Sequence, residues 1–469
     1  MSETPILEDY LELVTYGFTN PMPDSDVGPW KITAKDVIDG EINFNTARKT
    51  TQEAFDTKLT KKSRPKIGDV LLTKDGTLGR LAIVKEENIC INQSVAVLRP
   101  NEKILPEYLF YLLSTPEYQR RMIGDSDGTV IKHIYITRVG KMEVDIPSIE
   151  EQKERLKHLL SLDGKIKLNR QINQTLEQIA QAIFKSWFVD FEPVKAKIEA
   201  KQNGQDPERA AMCAISGKTD EELDQLSEEQ RQQLSNTAAL FPDELEDSEL
   251  GEVPRGWCVK TIDDVTSLII DHRGKTPKKL GGDWSDSGHP VLSAKIIKAG
   301  RIVNRQNIRF VSEEMYSRWM KEELEVGDVL ITSEAPMGEM FFLTENIKYC
   351  LSQRLYALRA NSQDVTPSYL YIWLQTATAQ ADLEGRATGT TVVGIRQVEL
   401  RKISVLSPRI EIVENYEKLV FPLLRNLYEK EDENIVLGQL RDELLSKLLT
   451  GDISISNIAV TKGSEFSYG

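Results

Sequence analysis

Two long stretches of the chain place apolar residues at helical spacing. Between 148 and 191, Ile172, Leu176, Ile179, Ile183 and Trp187 follow one another at intervals of four and three, which keeps them on one helix face. Ser148, with Glu151 three residues on, is a capping signal, and Pro193 reads as the stop. Between 407 and 453 the stripe is Leu437, Leu440, Leu444 and Leu448, with Gly451 as the stop. A stripe of this kind is ordinarily a domain's own packing face. Each of these is narrow and outlasts the globular region before it, so the pattern predicts helix packing against helix through these positions.

The regions between the helices repeat. "KIGDVLLT" (66–73) returns as "EVGDVLIT" (325–332), a short apolar run entered by a Gly-Asp turn. The register extends through Ala34/Ala294, Gly40/Gly300, Gly79/Gly338, Cys90/Cys350 and "PEYLFYLL" (106–113) with "PSYLYIWL" (367–374), at offsets of 259 to 261. A period that long is a tandem duplication and not a solenoid. The predicted order is a first domain (1–147), a helical region (148–197), an acidic, partly helical linker or insertion (198–250), a second domain (251–408), a second helical region (409–455) and a tail (456–469). The expected class is α+β, with two similar domains in pseudo-two-fold arrangement, separated by two long antiparallel helices. About 40 helical residues span roughly 60 Å. Duplex DNA, whose strands are antiparallel, suits such a two-fold reader.

Charge changes the picture only once it is located. The chain of 469 residues carries a net −14, but 219–252 holds twelve acids against Arg231, a net −11 that leaves −3 elsewhere. Basic residues cluster instead in 47–66, with seven Lys/Arg against two acids, and in "DHRGKTPKKLGG" (271–282). One such cluster in each copy makes a phosphate-binding reading competitive with a plain solvated loop. No CxxC pair and no metal-ligand spacing of histidines appears, and Cys90 and Cys350 sit in apolar runs as expected buried thiols. The absence of a signal-like or 18-residue apolar run points to a cytoplasmic protein.

The motifs of chemistry are missing. A base-holding loop of an amino-methyltransferase needs tandem prolines and an aromatic, which "NPMP" (20–23) and "DPER" (206–209) lack. The two "GKT" triplets have Met212 and Ile269 where a phosphate loop needs glycine. A self-contained methyltransferase or nuclease is therefore the weaker enzyme-class alternative, and a coiled-coil scaffold without a DNA role the interaction-class one.

"FKSWFVDFEPVKAK" (184–197), "GEVPRGW" (251–257) and "LLSKLLTGDI" (444–453), set in this duplicated order, resemble the specificity subunit of type I restriction–modification enzymes over nearly the whole chain. "HRGKTPKK" (272–279) is similar to the opening loop of that family's target-recognition domains, with "YGFTNP" (16–21) a looser version. The resemblance implies a prokaryotic, non-catalytic subunit in which each domain reads one half of a split DNA site and the helices fix the spacer. It implies docking of two modification subunits, which use S-adenosylmethionine, and through them restriction subunits that use ATP and Mg²⁺. No cofactor or metal is expected on this chain. DNA-binding candidates are Lys61, Lys62, Arg64, Lys74, Arg80, Lys132 and His133 in the first domain. In the second they are Arg273, Lys275, Lys278, Lys279, Arg305, Arg309, Arg386 and Arg396. Arginine can read guanine with two prongs, whereas lysine mostly meets phosphate.

Overall fold

The computed structural model describes residues 4–124, 133–272, 274–389 and 392–449. Contacts divide the chain into two units, one holding residues up to Leu168 together with those from Glu433 onward, the other Asn169–Asp432. In the first unit an antiparallel sheet runs in the order Leu11–Tyr16, Val95–Pro100, Val70–Thr73, Leu81–Ile83. The echoed strand is buried on both faces. Val70 and Leu72 join the cluster that holds Leu156 and Leu159 of the long helix, and Leu71 joins a second cluster with Ile32 and Ile91. That is why the phrase is an unbroken apolar run instead of an alternation. A smaller sheet, Arg48–Lys49, Ser25–Ile32 and Ile89–Ile91, covers this second cluster, antiparallel on one side of its centre and parallel on the other.

The second unit repeats this topology strand for strand. Its main sheet is Thr266–Asp271, Leu355–Ala360, Val329–Thr332, Met340–Phe342, and its small sheet is Arg309–Val311, His289–Leu292, Cys350–Leu351. The thiols of Cys90 and Cys350 are both buried, and burial pushes each up to about 12. Gly40 and Gly300 turn the same two-residue hairpin at positive φ, where a Cβ would come within 2.9 Å of the Phe110 ring and 3.0 Å of the Tyr371 hydroxyl. The repeated glycine is thus a matter of backbone handedness and close approach.

Each long helix has 40 residues, Ile149–Phe188 and Ile410–Leu449, and each is shared between the units. The two run antiparallel within both units. In the first, Arg155 donates to the Leu449 carbonyl at 3.2 Å, Asp163 pairs with Arg441 at 3.0 Å and Lys165 with Glu433 at 3.5 Å. In the second, Asn173 donates to Glu431 at 3.4 Å and the Phe184 and Tyr416 rings lie 5.7 Å apart. The nineteenth residue of each helix seats a head. Lys167 Nζ meets Glu41 Oε1 at 2.9 Å, and Tyr428 Oη donates to the Gly300 carbonyl at 3.0 Å.

The expected packing stripe is offset from the buried one. Trp187 and Leu448 are buried, Leu176 and Ile183 pack partly on the second unit's core and Leu444 on the first unit's, and Ile172 and Leu437 are half-buried. Ile179 and Leu440 are exposed at 42% and 44%. The buried face of the first helix in the second unit instead follows Asn169, Asn173, Ala180, Phe184 and Trp187. A stripe drawn through apolar residues alone misses the two asparagines and comes out rotated.

One further expectation is corrected. Pro193 does not end the first long helix, which stops at Phe188; a left-handed Phe191 (φ 54°) turns the chain, and Pro193 lies in the first turn of the next helix, Glu192–Gln202. The segment 198–250, expected as a partly helical acidic linker or insertion, carries helices and a small core of its own. It folds as helices Pro207–Ser216, Asp220–Asp224 and Glu228–Leu240 around Ala211, Met212, Leu223 and Ala238, followed by a hairpin of Leu245–Ser248 with Gly251–Pro254. Its acids are largely solvated, and two of them serve caps: Thr219 with Glu222 closes a capping box, and Asp206 accepts from the backbone of Glu208 and Arg209. Phe241 lies perpendicular to Trp187 at 5.4 Å, so this segment is tied into the second unit's core.

Candidate nucleic-acid interface

In each head the outer strand of the small sheet leads into a short helix, Gln52–Lys58 or Glu313–Trp319, capped by Thr51 or Ser312. Cationic side chains gather on this edge. Lys61 and Lys62 in the first head and Lys278 and Lys279 in the second are exposed, with no ion pair or hydrogen bond from their ammonium groups among the described residues. Arg48 reaches Asp24 at 3.2 Å, and Lys31 shares that carboxylate. The Lys31 hydrogen bond, with a smaller contribution from Arg48, holds the Asp24 carboxyl below its usual value. Arg309 is exposed and lies over the Trp284 ring at 4.9 Å.

Other candidates on this edge are already engaged. Arg64 donates through Nη2 to the carbonyls of Phe55, Asp56 (2.9 Å) and Leu59 (3.0 Å), closing the end of the short helix, and lies over the Phe55 ring. Lys275 donates to the Trp319 carbonyl at 2.9 Å, and Arg305 pairs with Asp432 of the long helix at 2.6 Å. A charge count cannot separate these from the unspent cations. Arg273 and Lys132 lie outside the described residues.

A second group sits on the loops at one end of the main sheet. There Asp75 bridges His133 in the first head, and Glu334 bridges Gly394 in the second. Lys74 pairs with Asp75 at 2.6 Å beneath the exposed Tyr16, and His133 packs edge-on to Tyr135 at 4.4 Å. Arg80 spends one prong on the Val37 carbonyl at 3.3 Å. Arg386 is held by Asp382 at 2.6 Å and Glu399 at 3.8 Å, whereas Arg396 is exposed with no such partner among the described residues. The candidates therefore fall into two clusters per head.

Sequence reading missed a hollow of about 240 Å³ in the first head, lined by Arg121, Tyr135, Arg138 and Lys141. No glycine-rich loop marks it. Trp284 was also missed, although an aromatic beside a basic run is itself a signal for nucleic-acid contact. The aromatics of "FKSWFVDF" and "GEVPRGW" serve packing, because Phe184, Trp187 and Phe188 meet Trp257, Tyr369 and Tyr416 in one cluster. Among the described residues no group of three or more His, Cys, Asp or Glu could hold a metal, and no helix is long and apolar enough to cross a membrane.

Comparison with known proteins matches residues 24–178 and 254–431 to the type I restriction modification DNA specificity domain. The type I restriction enzyme HindI specificity subunit of Haemophilus influenzae is 33% identical over 410 residues, 83% of this chain and 87% of that one. The MjaIX specificity subunit of Methanocaldococcus jannaschii is 23% identical over 92% of this chain and 88% of its own. The crystal structure of a type I restriction–modification S subunit from M. genitalium shares the fold at a TM-score of 0.55, with 14% identity and 95% coverage of each chain.

Proposed function

The chain belongs to the family of type I restriction–modification specificity subunits, non-catalytic DNA-recognition subunits, and from that premise we propose how its parts share the work of recognition. Each head recognises one half of a split DNA site through the unspent cations of its small-sheet edge and its loop cluster. The paired helices set the unread spacer. The observation that carries this reading is the repeated topology, with each head seated on the nineteenth residue of its own long helix.

The helices also serve as the docking platform. Ile179 and Leu440 are each the thirty-first residue of their helix, and both expose an apolar side chain. A lone exposed apolar residue means little, but the same one twice at equivalent positions suits two copies of one partner. That partner is a modification subunit, which brings S-adenosylmethionine for adenine methylation; restriction subunits bound through it bring ATP and Mg²⁺. This chain itself carries none of these.

The test is methylated-adenine mapping across the genome in cells with and without the chain. One bipartite motif should disappear, and replacing residues 252–408 with a relative's second head should change only one of its halves. The purified chain alone should neither methylate nor cut DNA with S-adenosylmethionine, Mg²⁺ and ATP present, and should support methylation once the modification subunit is added. Turnover by the chain alone would overturn this reading.

A further inference from the structure

The duplication supplies an internal control for one arginine. In both heads a serine turn stands at the entry to the small sheet's central strand: Ser25 Oγ donates to the Val27 carbonyl at 2.6 Å, and Ser285 Oγ to the Ser287 carbonyl at 2.7 Å. Gly28 and Gly288 follow at φ 115° and 117°, where a Cβ would fall 2.3 Å from the Thr50 carbonyl oxygen and 2.4 Å from that of Val311. Across the sheet, Lys31 faces Arg48 and Val291 faces Arg309. Counting from these fixed points, Asp24 and Trp284 hold one place in the two heads, and Arg48 and Arg309 another.

The same arginine thus meets opposite neighbours. In the first head its guanidinium pairs with a carboxylate, at 3.2 Å. In the second it rests on an indole face, at 4.9 Å, and among the described residues no ion pair or hydrogen bond holds it. Trp284 is 39% exposed and backed by the buried ring of Trp319 at 6.4 Å, so the stack has a fixed floor. Stacking orients the planar fork while leaving its edge donors unspent, whereas Asp24 draws one prong of Arg48, Nη1, toward its own carboxylate. A pre-oriented fork with free donors is what two-pronged reading of guanine O6 and N7 requires.

We propose that Arg309, held on Trp284, reads a guanine in the half-site of the second head, and that Arg48 is withheld from base reading by Asp24. This rests on the two-head reading of DNA above.

Methylated-site profiling of the assembled complex tests it. Arg309→Lys and Trp284→Asp should each relax the requirement for one guanine in the second head's half-site, by roughly ten- to a hundredfold in relative methylation. Arg48→Lys should leave both halves unchanged, while Asp24→Trp should create a new preference in the first head's half. Because all four side chains are on the surface, thermal unfolding should confirm an intact fold. An unchanged motif with Arg309→Lys overturns this assignment and leaves the two-head reading standing. A wild-type complex without a bipartite motif removes the two-head reading itself.

Discussion

Arg99 closes a two-pronged ion pair on Asp69, with Nε to Oδ1 at 2.8 Å and Nη2 to Oδ2 at 2.7 Å. Arg359 does the same to Asp328, with both contacts at 2.9 Å. Each carboxylate also accepts a backbone N–H from the turn before it, from Lys66 at 2.7 Å and from Glu325 at 2.9 Å. The Gly-Asp of the echoed phrase and the Leu-Arg some thirty residues later are therefore one device, which fixes a turn and ties neighbouring strands. Asp69→Asn should cost the fold about 2–4 kcal/mol, because Asp69 is 2% exposed and an uncompensated guanidinium would remain. Denaturant unfolding of the first unit measures this; a midpoint within error of wild type would mean that the pair is ornamental.

Glu417 carries a pH dependence. Its Oε2 accepts the Ser368 N–H at 3.0 Å at the start of a head helix, and burial raises its carboxyl above the ordinary 4.5. A carboxyl raised in the fold gives up its proton later than in the unfolded chain. Stability from this group is therefore greatest below the unfolded value and falls as pH rises through the folded one. Glu417→Gln should flatten that decline and raise Tm at pH 7 by roughly 2–4 °C for each kcal/mol recovered. Gln152 already does the corresponding job in the first unit, accepting the Leu105 N–H at 2.8 Å. A Tm at pH 7 below wild type would show that the charge is needed.

The sequence disclosed what the fold demands twice. Gly40 and Gly300, and Asp69 and Asp328, recur because a hairpin and a turn admit few alternatives, so two like heads were legible from spacing. The rest was hidden by partners that lie far off in sequence. Arg64, Arg305 and Arg386 count as available charge until Phe55, Asp432 and Asp382 are seen beside them. Asn169 and Asn173 score as polar, yet they hold buried helix positions. The net charge of the acidic segment concealed a small core, since its acids stay in water while Leu223 and Ala238 do not.

The proposed docking on the helices predicts a loss of affinity without a loss of stability. Ile179→Glu or Leu440→Glu should change the stability of the chain by no more than about 0.5 kcal/mol, as exposed positions do. Affinity for the modification subunit should fall tenfold or more for each, and the double variant should capture none of the two copies. Light scattering of the reconstituted complex reads the stoichiometry. Full assembly of the double variant would remove the helices from the docking surface.

The two units divide within both long helices, at Leu168/Asn169 and at Asp432/Glu433. Four helix-forming residues inserted after Leu168, and four more after Asp432, leave the contacts inside each unit untouched. They add roughly 6 Å and turn the helix about 40° beyond a full revolution. The variant should keep both half-site sequences and prefer a spacer longer by one or two base pairs, at about 3.4 Å each. Two-residue insertions, turning by roughly 200°, should abolish assembly. Methylation of an unchanged site by the four-residue variant would mean that something else measures the spacer.

The first unit is completed by the far end of the chain, for Leu445, Leu448 and Leu449 belong to the same core as Leu7 and Leu72. A ribosome makes residues 169–432 between these parts, which takes roughly 15–50 s at about 5–20 residues per second. Through that interval the nascent first head stands with the flank around Leu156 and Leu159 uncovered, a natural client for a chaperone. The second unit is continuous in sequence and waits for nothing beyond Asp432. The head translated first is the head finished last.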